Sequence, residues 1–426
     1  MKTLLKSFLL FVMVCALQAV LTAQQHHRSG KTTEAAENKT PQKAEDNKSK
    51  DPLENVKFRN LGPAVGGGRI TAVAGIPGKP NVYYAGAGGG GVWYTQDGGL
   101  SWKAIFEKEA TASIGAIALA PSNPNLVWVG TGESNLRNDV ITGRGVYFSP
   151  DAGMTWNFMG LKDAGQISNI VIDPRDPNIV FVGVLGHAWG PSADRGVFRT
   201  TDGGKNWQKV LHVDDTTGVS SLIMDPNNPM VLFAGLWPVR RYPWMLESGG
   251  TTGGIYRSTD GGNTWKKLTE GLPEGATGRI GLAASQSNPR HIYAVIESKK
   301  GIAWDTTDLG DHWKQVSDNH SFNARPFYFS QVAVAPNNEN KVYFINYNIM
   351  VSEDGGKTGR STTRGVHVDH HALWIDPMDP DRMIDGNDGG VYITTDGARS
   401  WRYTDNLPIE QFYSVAQDDE TPYNLC

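Results

Sequence analysis

The residues best suited to chemistry in this sequence are concentrated in a few short segments. His367-Val368-Asp369-His370-His371 puts three imidazoles and a carboxylate into five positions. Such a group can ligate a metal, move protons or line a polar opening. In an extended segment side chains alternate, so His367, Asp369 and His371 fall on one side and His370 on the other. Same-side neighbours then lie about 6.5 Å apart, which is wide for sharing one tetrahedral ion. We therefore assign no metal and no cofactor, and read His370 and His371 as ligand contacts at a polar channel mouth. Asn387-Asp388-Gly389-Gly390 reads as a tight turn that aims Asp388 at the same opening.

Three long, irregular loops carry the other candidates. Residues 131–144 hold Glu133, Asn135, Arg137, Asn138 and Asp139; residues 184–195 hold His187, Trp189 and Arg195; residues 236–253 hold Trp237, Arg240, Arg241, Tyr242, Trp244 and Glu247. Aromatic rings beside Arg, Asn and Glu suit the apolar faces and hydroxyl rims of sugars, or an extended peptide. The expected ligand contacts are Asn135, Arg137, His187, Trp189, Trp237, Arg240, Arg241 and Trp244. Arg144 and Arg195 each precede the same Gly-Val-aromatic strand and read as structural. Glycoside hydrolysis normally needs two carboxyl groups across the scissile bond. Glu133 and Asp388 are the weak catalytic candidates, with Asp139 and Glu247 as substitutes, and no spacing pairs any two of them. Arg69 and Arg279 each begin an apolar strand, and Arg325 has a similar place; arginines converging on an axis can clamp a carboxylate.

The elements that hold these segments announce themselves as a repeat. The pattern Ser/Thr-x-Asp-x-Gly-x-x-Trp starts at Thr95, Ser149, Thr200, Ser258 and Thr306, with two worn copies at Ser352 and Thr394. The first worn copy has Gly359 where Trp is expected, and the second has Ala398 in place of the second Gly. Each copy reads as a hairpin turn. Gly supplies the positive φ, and Asp97, Asp151, Asp202, Asp260, Asp308, Asp354 and Asp396 accept backbone hydrogen bonds that lock it. The Trp opens the next strand and fills the gap to a neighbouring sheet. Upstream of each copy an apolar strand ends in a Pro/Asn/Asp turn, as in Ile170-Val171-Ile172-Asp173-Pro174. Spacings of 42 to 58 residues leave room for one four-stranded antiparallel sheet per repeat. Seven such units predict an all-β, seven-bladed β-propeller over residues 53–408. Strand order puts the repeated turns on one face and the long loops on the other, where a rigid scaffold carries its binding surface.

This repeat resembles the Asp-box (BNR-repeat) propellers. The stretch from Gly62-Pro63 to Trp102 looks like the start of sortilin-type N-terminal propeller proteins, and is also similar to xyloglucanase-type glycoside hydrolases, which pair two propellers. The resemblance implies the fold firmly and the function only broadly. Xyloglucanase-type enzymes carry an Asp in the loop after the second strand of blade one. The matching stretch here, Tyr84 to Gly91, has no carboxylate, so their acid/base pair is not carried over. Sialidase-type propellers clamp a carboxylate with three arginines. Here Phe58-Arg59-Asn60-Leu61 only faintly echoes their N-terminal motif and no Tyr–Glu nucleophile pair can be placed, so that chemistry is set aside.

Residues 1–23 read as a secretory signal, with Lys2 and Lys6 ahead of an apolar run from Phe8 to Leu21 that is short for a membrane span. Residues 24–52 read as a disordered polar tether. The expected location is secreted or periplasmic, with no membrane span. Only Cys15 and Cys426 occur, so no disulfide is expected in the mature chain. Residues 53–426 carry 32 Lys/Arg and 39 Asp/Glu, a net charge of −7, which argues against a nucleic-acid partner. Residues 409–426, with Gln411 to Ala416 as a strand, read as the start of a further repeat or as a ring-closing strand. A second propeller in a longer parent chain is one expectation from this. The sequence as a whole therefore predicts a ligand-binding module of sortilin-type class for a peptide or glycan; the alternative is a glycoside hydrolase or the N-terminal half of one.

Overall fold

A computed structural model describes residues 67–421 apart from 413 and 415. The predicted signal (1–23), the tether (24–52), residues 53–66 and both cysteines lie outside the described residues. Seven antiparallel sheets follow one another along the chain, each built from strands consecutive in sequence. They span residues 70–104, 114–158, 166–211, 217–267, 280–317, 331–361 and 370–403. Six have four strands and the fourth has an added hairpin strand, Leu246–Ser248. The only helical element among the described residues is the 3₁₀ turn His320–Phe322. This is the predicted seven-bladed propeller.

All seven repeated turns close alike. The Ser/Thr hydroxyl donates to the Asp carboxylate at 2.7–2.8 Å. The same carboxylate accepts the backbone N–H four residues on, at 2.8–3.0 Å. Both worn copies keep this geometry, because the hydroxyl and the Asp survive in them. Ala398 takes the left-handed conformation, at φ 67°, that Gly would otherwise supply.

Blades join through apolar sheet faces and through the repeat's Trp. The indole N–H groups of Trp156, Trp207 and Trp401 donate to the carbonyls of Ile105, Met159 and Thr362 on the preceding blade. Blade six lacks this Trp. A Cβ at Gly359 would lie only 2.6 Å from the Phe322 ring, which fills the vacated space and stacks on Phe344 with centroids 4.1 Å apart. The 3₁₀ turn after blade five thus supplies the aromatic that blade six is missing.

No ring-closing strand appears at Gln411 to Ala416 among the described residues. Blade seven instead packs its face directly on blade one, where Trp374 meets Gly75 and Ile70 meets Gly386. Arg402 and Asn406 also donate to the carbonyls of Gly98 and Leu100. Inner strands from all seven blades line a narrow central channel of about 230 Å³.

Five inner strands carry a β-bulge near their first residue, with Thr71, Gly115, Ser168, Ser220 and His371 as the extra residues. Thr71 and Ser220 use their hydroxyls to bond the carbonyls of Ile114 and Ile280 on the next blade. A bulge re-aims the side chain that it inserts. In blade seven that side chain is His371, and the consequence lies at the site.

Candidate ligand-binding face

The loops between second and third strands and the connections between blades share one face, as strand order requires. At its centre a chain of polar side chains crosses the channel mouth. Arg69, at the start of blade one, donates from Nε and Nη2 to both oxygens of Glu133 at 3.0 and 2.8 Å. Its Nη1 donates to the Tyr328 hydroxyl at 3.2 Å. That hydroxyl donates in turn to Asp388 at 2.7 Å, and His371 Nε2 meets the same carboxylate at 2.7 Å. Blades one, two, six and seven are thereby tied together around the opening.

The electrostatics follow from burial and from these partners. Burial pushes the Glu133 carboxyl up to about 7, against the pull of Arg69. Burial also works to raise Asp388, but bonds from His371 and Tyr328 outweigh it and hold that carboxyl low. Burial lowers His371, with Asp388 opposing. Asp388 is therefore ionised at neutral pH and His371 is neutral, with its proton on Nε2. Asp369 behaves oppositely to Asp388: burial, then the Asp388 charge, raise its carboxyl. Its backbone is left-handed at φ 66°. Its Oδ1 is buried without a partner among the described residues, and its Oδ2 lies 3.7 Å from Arg325 Nη1.

Of the pentapeptide only His370 and His371 lie in the strand, and they point to opposite sides as alternation expects. Strand pairing begins at His370 and the bulge inserts His371. His370 turns into the blade, fully buried, with Nδ1 2.9 Å from both oxygens of Asp385. His371 turns toward Asp388 at the mouth but is likewise 0% exposed, so it too is not the open ligand contact expected, and His367 stays exposed with Nδ1 on its neighbour's carbonyl. His370 is thus a buried strut rather than a ligand contact.

Several other expected contacts are buried too. Glu133 is 0% exposed, sealed by Arg69. Asn135 accepts a bond from the buried Arg279 at 3.0 Å. Burial pulls that guanidinium down to about 10, and it sits 5.5 Å over the Trp237 ring. Trp237 is itself fully buried, with its N–H on Ser248 Oγ. Arg195 bonds the carbonyls of Thr216, His187 and Gly190, a structural role. The sequence shows that these side chains lie on loops, but not that the loops pack them inside.

What the face presents is a smaller set. Trp244 is 78% exposed and Trp189 40%. Trp244 stands 5.8 Å from Tyr242, whose other neighbour is the Arg240 guanidinium at 4.4 Å from its ring. Arg137 lies 4.7 Å over the Tyr328 ring. Arg241 and His187 are partly exposed. Asp139 lies 3.5 Å from Arg69 and accepts from Gln411 at 2.8 Å. A pocket of about 370 Å³ opens here between the glycine run 88–90, Asp139, Ile141 and the segment 408–412. Glu247 accepts from Tyr242 at 3.3 Å. Sequence reasoning missed Tyr328 and gave Asp369 no role of its own; the run Phe327-Tyr328-Phe329 just before an inner strand was the available signal for Tyr328.

No helix among the described residues is long and apolar enough to cross a membrane. No family model matches the chain. It is 25% identical over 372 residues to the xyloglucanase Xgh74A of Acetivibrio thermocellus, which covers 77% of this chain and 41% of that protein. Among solved structures, the GH74 xyloglucanase from Xanthomonas campestris superposes with a TM-score of 0.58 at 19% identity, over 81% of this chain and 55% of that one. YCF48 bound to D1 peptide gives 0.51 at 16% identity, over 78% and 94%. The chain spans about two-fifths of the length of the curated relatives it matches first. What it shares with these proteins is the β-propeller scaffold.

Proposed function

We propose that this propeller is a secreted or periplasmic binding module that holds an extended ligand, a glycan or a peptide, across the face bearing Trp189, Tyr242 and Trp244. The observation that carries the reading is the exposure of Trp189 and Trp244, with the half-buried Tyr242 between Trp244 and Arg240, on loops anchored by a buried polar scaffold. Apolar rings that fold into nothing cost solvation unless a ligand covers them. The relatives point the same way: one is named for xyloglucan and another was solved with a peptide. A ligand module of sortilin-type class, built on Asp-box turns, fits within this proposal. Glu133 has no exposed atom from which to reach a leaving group, so it serves as a positioning residue for Arg69.

The test is binding of polysaccharides and peptides by the wild type, Trp189→Ala and Trp244→Ala, each with a thermal melt. The expected result is weakened binding with stability changed by less than about 0.5 kcal/mol, as for exposed side chains. A large loss of stability, or unchanged binding, would refute the role of these rings. A second reading, glycoside hydrolysis, is favoured by one observation. Asp369 and Asp388 stand together at the mouth with carboxyls displaced in opposite directions, the arrangement that separates an acid from a base. New reducing ends that vanish in Asp369→Asn would establish it.

A further inference from the structure

After blade seven the chain stays on the ligand face. Residues 408–412, Pro408-Ile409-Glu410-Gln411-Phe412, cross blade one and reach Asp139 on the loop of blade two. Two glycines let this strap lie close. A Cβ at Gly68 would stand 3.2 Å from the Glu410 nitrogen, and one at Gly90 would stand 3.0 Å from Ile409 Cγ2. Both are closer than the about 3.5–4.0 Å of a favourable contact, so a larger residue at either position would push the strap outward. The strap is nonetheless weakly held. Among the described residues its backbone makes no hydrogen bond to a blade; its one backbone bond is local, from the Ile409 N–H to the Leu407 carbonyl at 2.8 Å. Ile409 and Gln411 are half-buried, and Pro408, Glu410 and Phe412 are exposed. A segment that rests on two side chains can lift without breaking a sheet.

Gln411 fills a matched pair of groups. Its amide oxygen accepts from Arg69 Nη1 at 3.4 Å, and its amide nitrogen donates to Asp139 Oδ2 at 2.8 Å. A guanidinium only donates and a carboxylate only accepts, so the carboxamide seats in one orientation. Arg69 Nη2 and Asp139 Oδ2 are 3.5 Å apart, which sets a donor beside an acceptor. Arg69 is fixed in place because Glu133 takes its Nε and Nη2. A primary carboxamide carries C=O and N–H on one carbon, facing the same way, and meets both groups. The N-acetyl group of an amino sugar is a trans amide, which turns its C=O and N–H to opposite sides. The pocket of about 370 Å³ adjoins this pair, floored by glycines 88–90 and walled by Ile141.

We propose that residues 408–412 are the internal occupant of a peptide site, in which Arg69 and Asp139 read the primary carboxamide of a Gln or Asn side chain and the adjoining pocket takes an apolar neighbour. An incoming peptide binds by lifting the strap. The tether holds Gln411 at high local concentration, so the strap lowers the apparent affinity of any external competitor. The inference rests on the binding reading above and gives it a peptide ligand. It uses groups other than the Trp189 and Trp244 rings, so the two fail separately.

The probe is the pentapeptide Pro-Ile-Glu-Gln-Phe with N-acetyl and N-methylamide caps, and its control carries Leu in place of Gln. Binding is measured to the full chain and to the loosened variant Ile409→Gly with Gln411→Ala, each with a thermal melt. The loosened variant should bind the Gln peptide at least about tenfold tighter than wild type. It should prefer the Gln peptide over the Leu peptide by about tenfold, the scale of one hydrogen bond to a charged group. Adding Asp139→Ala should abolish that preference. Equal binding by wild type and loosened variant overturns the strap. Equal binding of the two peptides overturns the carboxamide pair. Tighter binding of an N-acetylglucosamine oligomer than of either peptide overturns the peptide assignment. Binding of neither peptide overturns the site, whereas the binding reading falls only if Trp189→Ala and Trp244→Ala also leave binding unchanged. If the loosened variant does not fold, Gln411→Ala alone supplies the same comparison.

Discussion

Replacing Phe322 by Ala should destabilise the propeller strongly, and adding Trp at Gly359 should repair part of the damage. Phe322 is fully buried and stacks nearly parallel on Phe344, at 4.1 Å and 5°. Removing such a ring from a core costs about 3–5 kcal/mol. Unfolding entropy of about 2.1 cal/mol/K per residue converts this to a drop of roughly 4–7 °C in Tm for a domain of this size. Gly359→Trp alone inserts a ring where Phe322 already lies, 2.6 Å from the new Cβ, so overpacking should cost about 1–3 kcal/mol. In the Phe322→Ala background the same Trp enters vacated space at the repeat's own position. It should then be stabilising there. The assay is a double-mutant cycle in Tm and in denaturant midpoint. The coupling should exceed about 1 kcal/mol, the range seen for residues in contact, with Gly359→Trp changing sign between backgrounds. Additive effects would refute the claim that Phe322 substitutes for the missing Trp.

Two further outcomes follow from the polar groups. Glu133→Ala leaves Arg69 buried beside an empty site and should cost about 3–5 kcal/mol, while Arg69→Met with Glu133→Leu should recover most of it; thermal melts of the single and double variants check this. His291 has both ring nitrogens on carboxylates, Asp305 at 3.1 Å in its own blade and Glu339 at 3.0 Å in the next. Both nitrogens must therefore donate. Burial opposes the charge, but Asp305 and Glu339 prevail and raise the imidazolium above its ordinary value. Its stabilising contribution is complete below the unfolded-state value near 6.5 and is lost as pH rises through the raised folded-state value. Tm measured across this window should fall with pH in the wild type relative to His291→Gln; parallel profiles would remove His291 from the pH dependence.

The repeat was legible because it is local. Each octapeptide encodes its own turn through a hydroxyl, an Asp and residues of positive φ, and seven copies at blade-length spacing admit one architecture. The same locality let strand order place the long loops on a common face. The worn copy at Gly359 could be seen in the sequence, but its replacement could not, since Phe322 comes from the end of another blade. The site was legible only in part. His370 and His371 stand on opposite sides, as alternation expects, but packing seals both from solvent. Asn135, Trp237 and Glu133 looked like surface groups, and packing between blades buried them. Tyr328 joins Arg69 to Asp388 across 259 and 60 residues of sequence, beyond the reach of any local pattern. Sequence alone thus determined the blades, their number and the face that carries variation, because those depend on hydrogen bonds a few residues apart. Tertiary structure decided which side chains stay on that face and which charges find partners, because burial and ion pairing depend on neighbours that only the closed ring brings together.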